Sequence, residues 1–318
     1  MSITLDSALL LVKEHLHRPI TGRLLLLGRQ TIFLSIEDAS RLVTEINGSI
    51  RSDAIFEVDD STVSASGHKF ISDRSFFSLF SDAAIDCLDV SAYEGAEIVH
   101  DLCKPIPENL DGQYDFIVNG SCLDNIFNAS GALINMSRML KKNGRVLIGE
   151  NGAMNGFGEY SVFSPDWFYD FFVSNKYNDC KIYLMEYDID KYGKYESPIY
   201  SIKDFCIYSW QPSYMNPRGI RRYEPSRLET RRKTSILVIA EKGMDSTDFE
   251  MPIQHAYRSQ DLHEKYVEVA HSFLSSKRPT FNFGEIPINQ EFQQGPGQNF
   301  SLCGFLESLD AKKYRSYL

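Results

Sequence analysis

Five short apolar runs punctuate the first half of the chain, and each closes on or beside a glycine, an aspartate or an asparagine. They are Arg23-Leu-Leu-Leu-Leu-Gly28, Ala84-Ile-Asp-Cys-Leu-Asp-Val90, Glu97-Ile-Val-His-Asp101, Tyr114-Asp-Phe-Ile-Val-Asn119 and Arg145-Val-Leu-Ile-Gly149. Runs this short and this continuous read as strands buried on both faces, the signature of a parallel sheet. Segments of helical spacing lie around them. Leu5, Leu9, Val12 and Leu16 mark a helix over Leu5 to His17, broken by Pro19 and Gly22. Ser35 caps a helix to Ile46, with Glu37 and Asp38 in its first turn. Further helices are expected over Ser72 to Phe80, Ala129 to Leu140 (stopped by Lys141-Lys-Asn-Gly144, with Gly144 as C-cap), Ser164-Pro165 to Val173, and Ser259 to Ser276. A small hairpin fits Ile50 to Phe70. Two more strands, Asp179 to Tyr187 and Ser235 to Glu241, are separated by an insertion of about 188–233. Strands alternating with helices make an α/β fold, a mostly parallel sheet with helices on both faces.

Composition narrows the function classes. A formal net charge of −10 argues against a nucleic-acid partner. One basic run, Arg218 to Lys233, reads either as a solvated loop or as a clamp for an anionic acceptor. The six cysteines show no CxxC pair and no zinc spacing, so reduced, mostly buried thiols in a cytoplasmic protein are expected, with no metal. The first residues make a poor signal peptide, and no apolar run is long enough to span a bilayer, so no membrane partner is expected.

In such sheets ligands bind beyond the carboxyl ends of the strands. An acid after the second strand suits the two hydroxyls of a ribose; Asp89 holds that place, with Asp86 as the alternative. An acid after the third suits an adenine amine; Asp101 holds that place, and Leu102 adds a backbone amide and an apolar wall. Each Asp alone reads rather as a loop cap. Taken together and in order they point to a nucleoside.

The stretch Ala84 to Phe172 resembles a class I S-adenosylmethionine (SAM)-dependent methyltransferase. The run Tyr114 to Phe127 is similar to that family's fourth-strand motif, and Ala132 to Ile148 to its following helix, turn and fifth strand. Leu88 to Leu102 and Phe163 to Phe172 resemble runs of a bacterial subset, some of it tied to polysaccharide modification. The resemblance implies a Rossmann-like sheet of seven strands, the last (Ser235 to Glu241) antiparallel, and SAM as cofactor. It divides the chain into an N-terminal helix (1–22), a methyltransferase-like domain (23–242, with insertions about 33–82 and 188–233) and a C-terminal extension (243–318). Gly28 with Gln30 would serve the methionine end, Arg29 or Gln30 its carboxylate, and Asn119 would join the cofactor contacts.

The chain departs from the family twice. Leu26 stands where an acid is usual, and Arg29, Gln30, Thr31 and Ile32 replace the small residues that let amides approach the cofactor. Asp124-Asn125 stands where many relatives carry Glu-His, and Asn125 cannot act as a base. Glu150 and Tyr160 are the candidate catalytic groups. His100 reads as a core histidine, and His255, His263 and His271 as surface residues. Trp210 and Tyr214 read equally as a packed lid or a stacking floor for an acceptor. The expected activity is methyl transfer to a small-molecule or glycan acceptor, through oxygen, in a chain that can form a homodimer. The alternative is a catalytically inactive methyltransferase-fold binding or regulatory protein; a nucleotide-sugar or NAD enzyme ranks below both, for want of a GxGxxG run.

Overall fold

The computed structural model describes residues 2–152, 159–189, 202–210, 212, 233–254, 257–276, 278 and 281. The chain divides into two compact units, Met1–Glu150 with Gly158–Ser161, and Asn151–Phe157 with Val162–Leu318.

The first unit opens with a two-residue strand, β1 (Ser2–Ile3), and helix α1 (Leu5–His17). Then come β2 (Arg23–Leu27), β3 (Thr31–Ile32), α2 (Ile36–Glu45), α3 (Asp73–Ser78), β4 (Ala84–Asp89), β5 (Ile98–Val99), β6 (Tyr114–Gly120), α4 (Ala129–Met139) and β7 (Leu140–Asn151), which reaches one residue past the unit's boundary. The order β5-β4-β2-β6-β7 is 3-2-1-4-5 by appearance, the doubly wound order of a Rossmann-like sheet, and each of these pairings is parallel. Leu24, Leu25, Leu26 and Leu27 are fully buried, which is why a run of four leucines makes the central strand. Helix α1 is tied to β7 by the buried pair Glu14–Arg145 at 2.6 Å, and Arg145 also donates to the Arg18 and Pro19 carbonyls. Ser35 caps α2 by accepting from the Asp38 amide, and Ser72 caps α3 through the Ser75 amide.

The second unit holds α5 (Pro165–Ser174), β8 (Asp179–Ile189), β9 (Ile202–Trp210), β10 (Lys233–Glu241) and α6 (Gln260–Leu274). β10 runs antiparallel to β8, as the resemblance implied for the last strand, and β8 runs antiparallel to β9. All seven expected strands are therefore present among the described residues, with β1, β3 and, inside the insertion, β9 in addition. Ser259 caps α6. Tyr266 on α6 donates to Asp170 on α5 at 2.6 Å, and the Arg258 guanidinium pairs with the same carboxylate and stacks 3.7 Å over the Tyr266 ring. Trp210 is buried edge-on against Tyr169, and with it lines a small pocket that Phe273 and Lys181 also border.

Other expectations change. In place of a hairpin over Ile50 to Phe70 there is one bridge, Val58 to Ile71. Helix α4 ends at Leu140 with extended backbone, not at a Gly144 cap, because Leu140 pairs with Tyr114 and draws the chain into β7. The left-handed residue there is Asn143, at φ 63°. Gly144 is needed for room, since a Cβ would lie 2.8 Å from the Lys141 carbonyl. His263 is buried, not on the surface, and His100 is half-buried rather than core. Cys87 and Cys180 are buried thiols, Cys103 is exposed and Cys122 half-buried. The basic run Arg218 to Arg232, Tyr214, His255 and Cys303 lie outside the described residues.

Candidate functional site

Two acids end adjacent strands. Asp89 closes β4 and pairs with Val99 of β5; the His100 amide donates to the Asp89 carbonyl at 2.8 Å. Asp89 is half-buried, and its Oδ1 accepts from the Ser91 amide at 3.1 Å while Oδ2 has no partner among the described residues. Asp101 follows β5. Its Oδ1 accepts from the Cys103 amide at 2.9 Å and its Oδ2 faces Lys104 at 3.3 Å. The Cys103 amide, then the Lys104 ammonium, hold its carboxyl below the ordinary aspartate range. Leu102 is buried, its carbonyl taken by Asn135. Both acids thus act as turn caps, and each still presents a carboxylate edge at the rim. Asp86 is not that group: it pairs with Arg23 at 2.6 Å and accepts from the Tyr114 hydroxyl.

The switch point lies between β2 and β6, because β2 is flanked by β4 on one side and β6 on the other. Gly28 takes φ 71°, a conformation a side chain would strain, and its amide donates to the Leu88 carbonyl. Arg29 turns inward: Nε and Nη2 grip Asp73 at 2.8 Å each, in a buried bidentate pair that raises the guanidinium pKa further. Gln30 is 0% exposed. Its Nε2 donates to the Leu27 carbonyl at 2.9 Å and the Gly28 carbonyl at 3.1 Å, which fixes which end of the amide is nitrogen. Its Oε1 is buried with no partner among the described residues. An unpaired buried acceptor costs about 1–3 kcal/mol. That oxygen lies over Gly120, where a Cβ would meet it at 2.1 Å and the Ser2 carbonyl at 2.7 Å.

At the tips of β6 and β7 the buried groups hold one another. Glu150 is 2% exposed and accepts from the Asn119 amide group, from the Leu123 amide at 2.9 Å and from the Asp124 amide at 3.2 Å. It therefore caps the turn Leu123–Asn125. Burial first, then the nearby Asp124 charge, push its carboxyl up to about 8. Asn119 is committed to that cap and to the Cys122 amide. Asn125 donates to Asp124 and the Ser121 carbonyl. Tyr160 is 68% exposed and meets Phe127, 83% exposed, edge to face at 5.6 Å. The Tyr160 and Ser161 amides both donate to the Asp124 carbonyl, so the cap also positions this pair. Sequence reasoning missed Phe127, Asp73 and Ser2; none of the three lies at a strand tip whose composition points to a ligand.

The cofactor implied by the resemblance carries an adenosine and an α-amino acid. Asp89's open oxygen suits a ribose hydroxyl, and the orphaned Gln30 oxygen suits an ammonium donor. Arg29 is engaged by Asp73, so the carboxylate expected to meet it has no arginine there. The donor and acceptor set fits the group, although the Ser2 carbonyl takes room over Gly120. Among the described residues no His, Cys, Asp or Glu group could hold a metal ion, and no helix is long and apolar enough to cross a membrane.

No family model matches the chain, and no curated protein matches it. Solved structures do. A Bacillus halodurans protein classed provisionally as a methyltransferase is 11% identical over 74% of this chain and 99% of its own, at a TM-score of 0.37. Phosphoethanolamine N-methyltransferase 2 of Haemonchus contortus, solved with SAM, is 12% identical over 74% and 52%, at 0.35. A Rhodobacter sphaeroides protein classed provisionally among Zn-dependent alcohol dehydrogenases is 13% identical over 45% and 46%, at 0.25. The chain thus spans about half the length of the second and third of these. Such likeness carries no argument about activity; the strand order itself defines the fold.

Proposed function

We propose that the chain is a SAM-dependent methyltransferase whose acceptor is a small molecule or a glycan unit, methylated on oxygen. The observation behind this reading is the pair of carboxylates, Asp89 and Asp101, at the tips of adjacent parallel strands beside the switch point. When bound, the cofactor supplies an electrophilic methyl group on a sulfonium. Asp89 holds the ribose hydroxyls, Asp101 and the Leu102 wall hold the adenine, and Gln30 accepts from the amino group. Gly28 lets the chain turn beneath the ligand. Glu150 and Asn119 act at one remove, by holding the Leu123–Asn125 turn, so Tyr160 is the exposed candidate for orienting an acceptor hydroxyl. The Phe127–Tyr160 pair offers a ring surface to the face of a sugar or an aromatic acceptor. Positioning alone supplies much of the acceleration for such a transfer. The resemblance of Leu88 to Leu102 and Phe163 to Phe172 to a bacterial subset adds a setting to this proposal, the cytoplasm of a bacterium and polysaccharide modification.

A second reading, a binding protein with a methyltransferase fold and no catalysis, is favoured by the Arg29–Asp73 pair and the packing of Gln30 over Gly120. Calorimetric titration with SAM and S-adenosylhomocysteine separates the two. Micromolar binding lost in Asp89→Ala supports the enzyme. A folded chain that gives no heat with either supports the binding protein, and heat with NAD instead would return the dehydrogenase-type reading.

A further inference from the structure

The space over the end of β6 is filled by the chain's own N-terminal strand. Ser2 pairs with Thr31 and Ile3 with Ile32, in parallel, and the Phe33 amide donates to the Ile3 carbonyl at 3.1 Å. This brings the Ser2 carbonyl and the Gln30 amide together onto the bare Cα of Gly120. Two acceptors, the Ser2 carbonyl and the orphaned Gln30 Oε1, therefore converge on one point at the switch point. The described residues send no donor to Gln30 Oε1. The ladder is only two residue pairs long, and beyond it the hold on β1 is the buried Ile3 side chain, which lifting exposes. Helix α1, which starts at Leu5, is anchored separately through Glu14 and Arg145, so β1 can lift about Thr4 while the helix stays in place.

We propose that β1 is a strap that closes the switch point, and that it lifts when a nucleoside bearing an α-amino acid enters, whose ammonium then donates to Gln30 Oε1. This rests on the methyltransferase reading above and adds a gate to it. The acids at the tips of β4 and β5 stay accessible with the strap closed. Adenosine alone therefore binds without moving it, while a ligand with the amino-acid part must displace it. The closed strap reduces the apparent affinity of the larger ligand by the fraction of chains that are open.

Hydrogen exchange on the intact chain reads the strap directly. Saturating S-adenosylhomocysteine is expected to speed exchange of the Phe33 amide about tenfold or more, and adenosine to leave it unchanged. Deleting Ser2 and Ile3 is expected to raise S-adenosylhomocysteine affinity about tenfold with adenosine affinity unaltered. Should the deleted chain fail to fold, the exchange measurement on the intact chain decides. If S-adenosylhomocysteine binds while Phe33 exchange stays the same or slows, the strap is overturned and the methyltransferase reading stands. If neither adenosine nor S-adenosylhomocysteine binds the folded chain, that reading falls, and the strap with it.

Discussion

The two sides of the switch point are built on opposite principles. On the β4–β5 side, Asp89 and Asp101 cap their own turns with one oxygen and sit at the rim, held only by neighbours two or three residues away. On the β2–β6 side, the loop after Gly28 is pulled inward by groups far along the chain: Asp73 grips Arg29, and Gln30 is packed beside the Ser2 carbonyl over Gly120. The first side can receive a ligand by exchanging contacts with water. The second must first break contacts within the protein. A glycine-rich loop would have made the two sides alike, and the side chains at 29–32 are what make them differ.

The largest expected effect breaks the closed side. Asp73→Ala strips the buried Arg29 guanidinium of its partner and the Gln30 amide of its acceptor, and should cost about 3 kcal/mol or more in urea unfolding. Gly120→Ala puts a methyl group against a backbone carbonyl as well as a side chain, for a loss of about 1–3 kcal/mol. Gln30→Ala in the same chain should recover part of that loss, because Gln30 is the nearer obstacle; strictly additive losses would show that the two do not touch.

The Glu150 cap sharpens the comparison through pH. Its folded carboxyl titrates near 8 against an ordinary 4.5, so the folded state holds the proton more tightly than the unfolded chain. The stability this provides is complete below about pH 4.5 and is lost as pH rises through about 8. Urea midpoints across that range should fall with rising pH, and Glu150→Gln should flatten the fall. A slope unchanged in the variant would assign the titration to another group.

The smallest expected effect lies at the open rim. Tyr160→Ala should change stability by no more than about 0.5 kcal/mol, since the ring is mostly exposed, while weakening binding of an acceptor. A large loss of stability would make the Phe127–Tyr160 pair structural.

Much of the fold was legible because it is written locally. The leucines of β2 and the caps at Ser35 and Ser259 each act within a few residues, and the structure keeps them. Asp89 and Asp101 were legible for the same reason. Arg29 and Gln30 sit where the strand pattern put them, but Arg29 turns inward onto Asp73. The carboxylate that claims it is 44 residues away, and nothing in the local sequence names that partner. Glu150 likewise reads as a reactive acid beside a strand end, yet its partners are amides 26 and 27 residues back, which turn it into a cap. The strand β9 was hidden because the connection from β8, residues 190–201, carries Gly193 and Pro198 but is too long to read as a tight hairpin turn.

A crystal structure of the chain with S-adenosylhomocysteine tests the central claim most directly. The account predicts ribose hydroxyls on Asp89, the amino group on Gln30 Oε1, and Ser2 withdrawn from Gly120. Ligand bound elsewhere on the protein, with Gln30 and Ser2 still seated on Gly120, would contradict it.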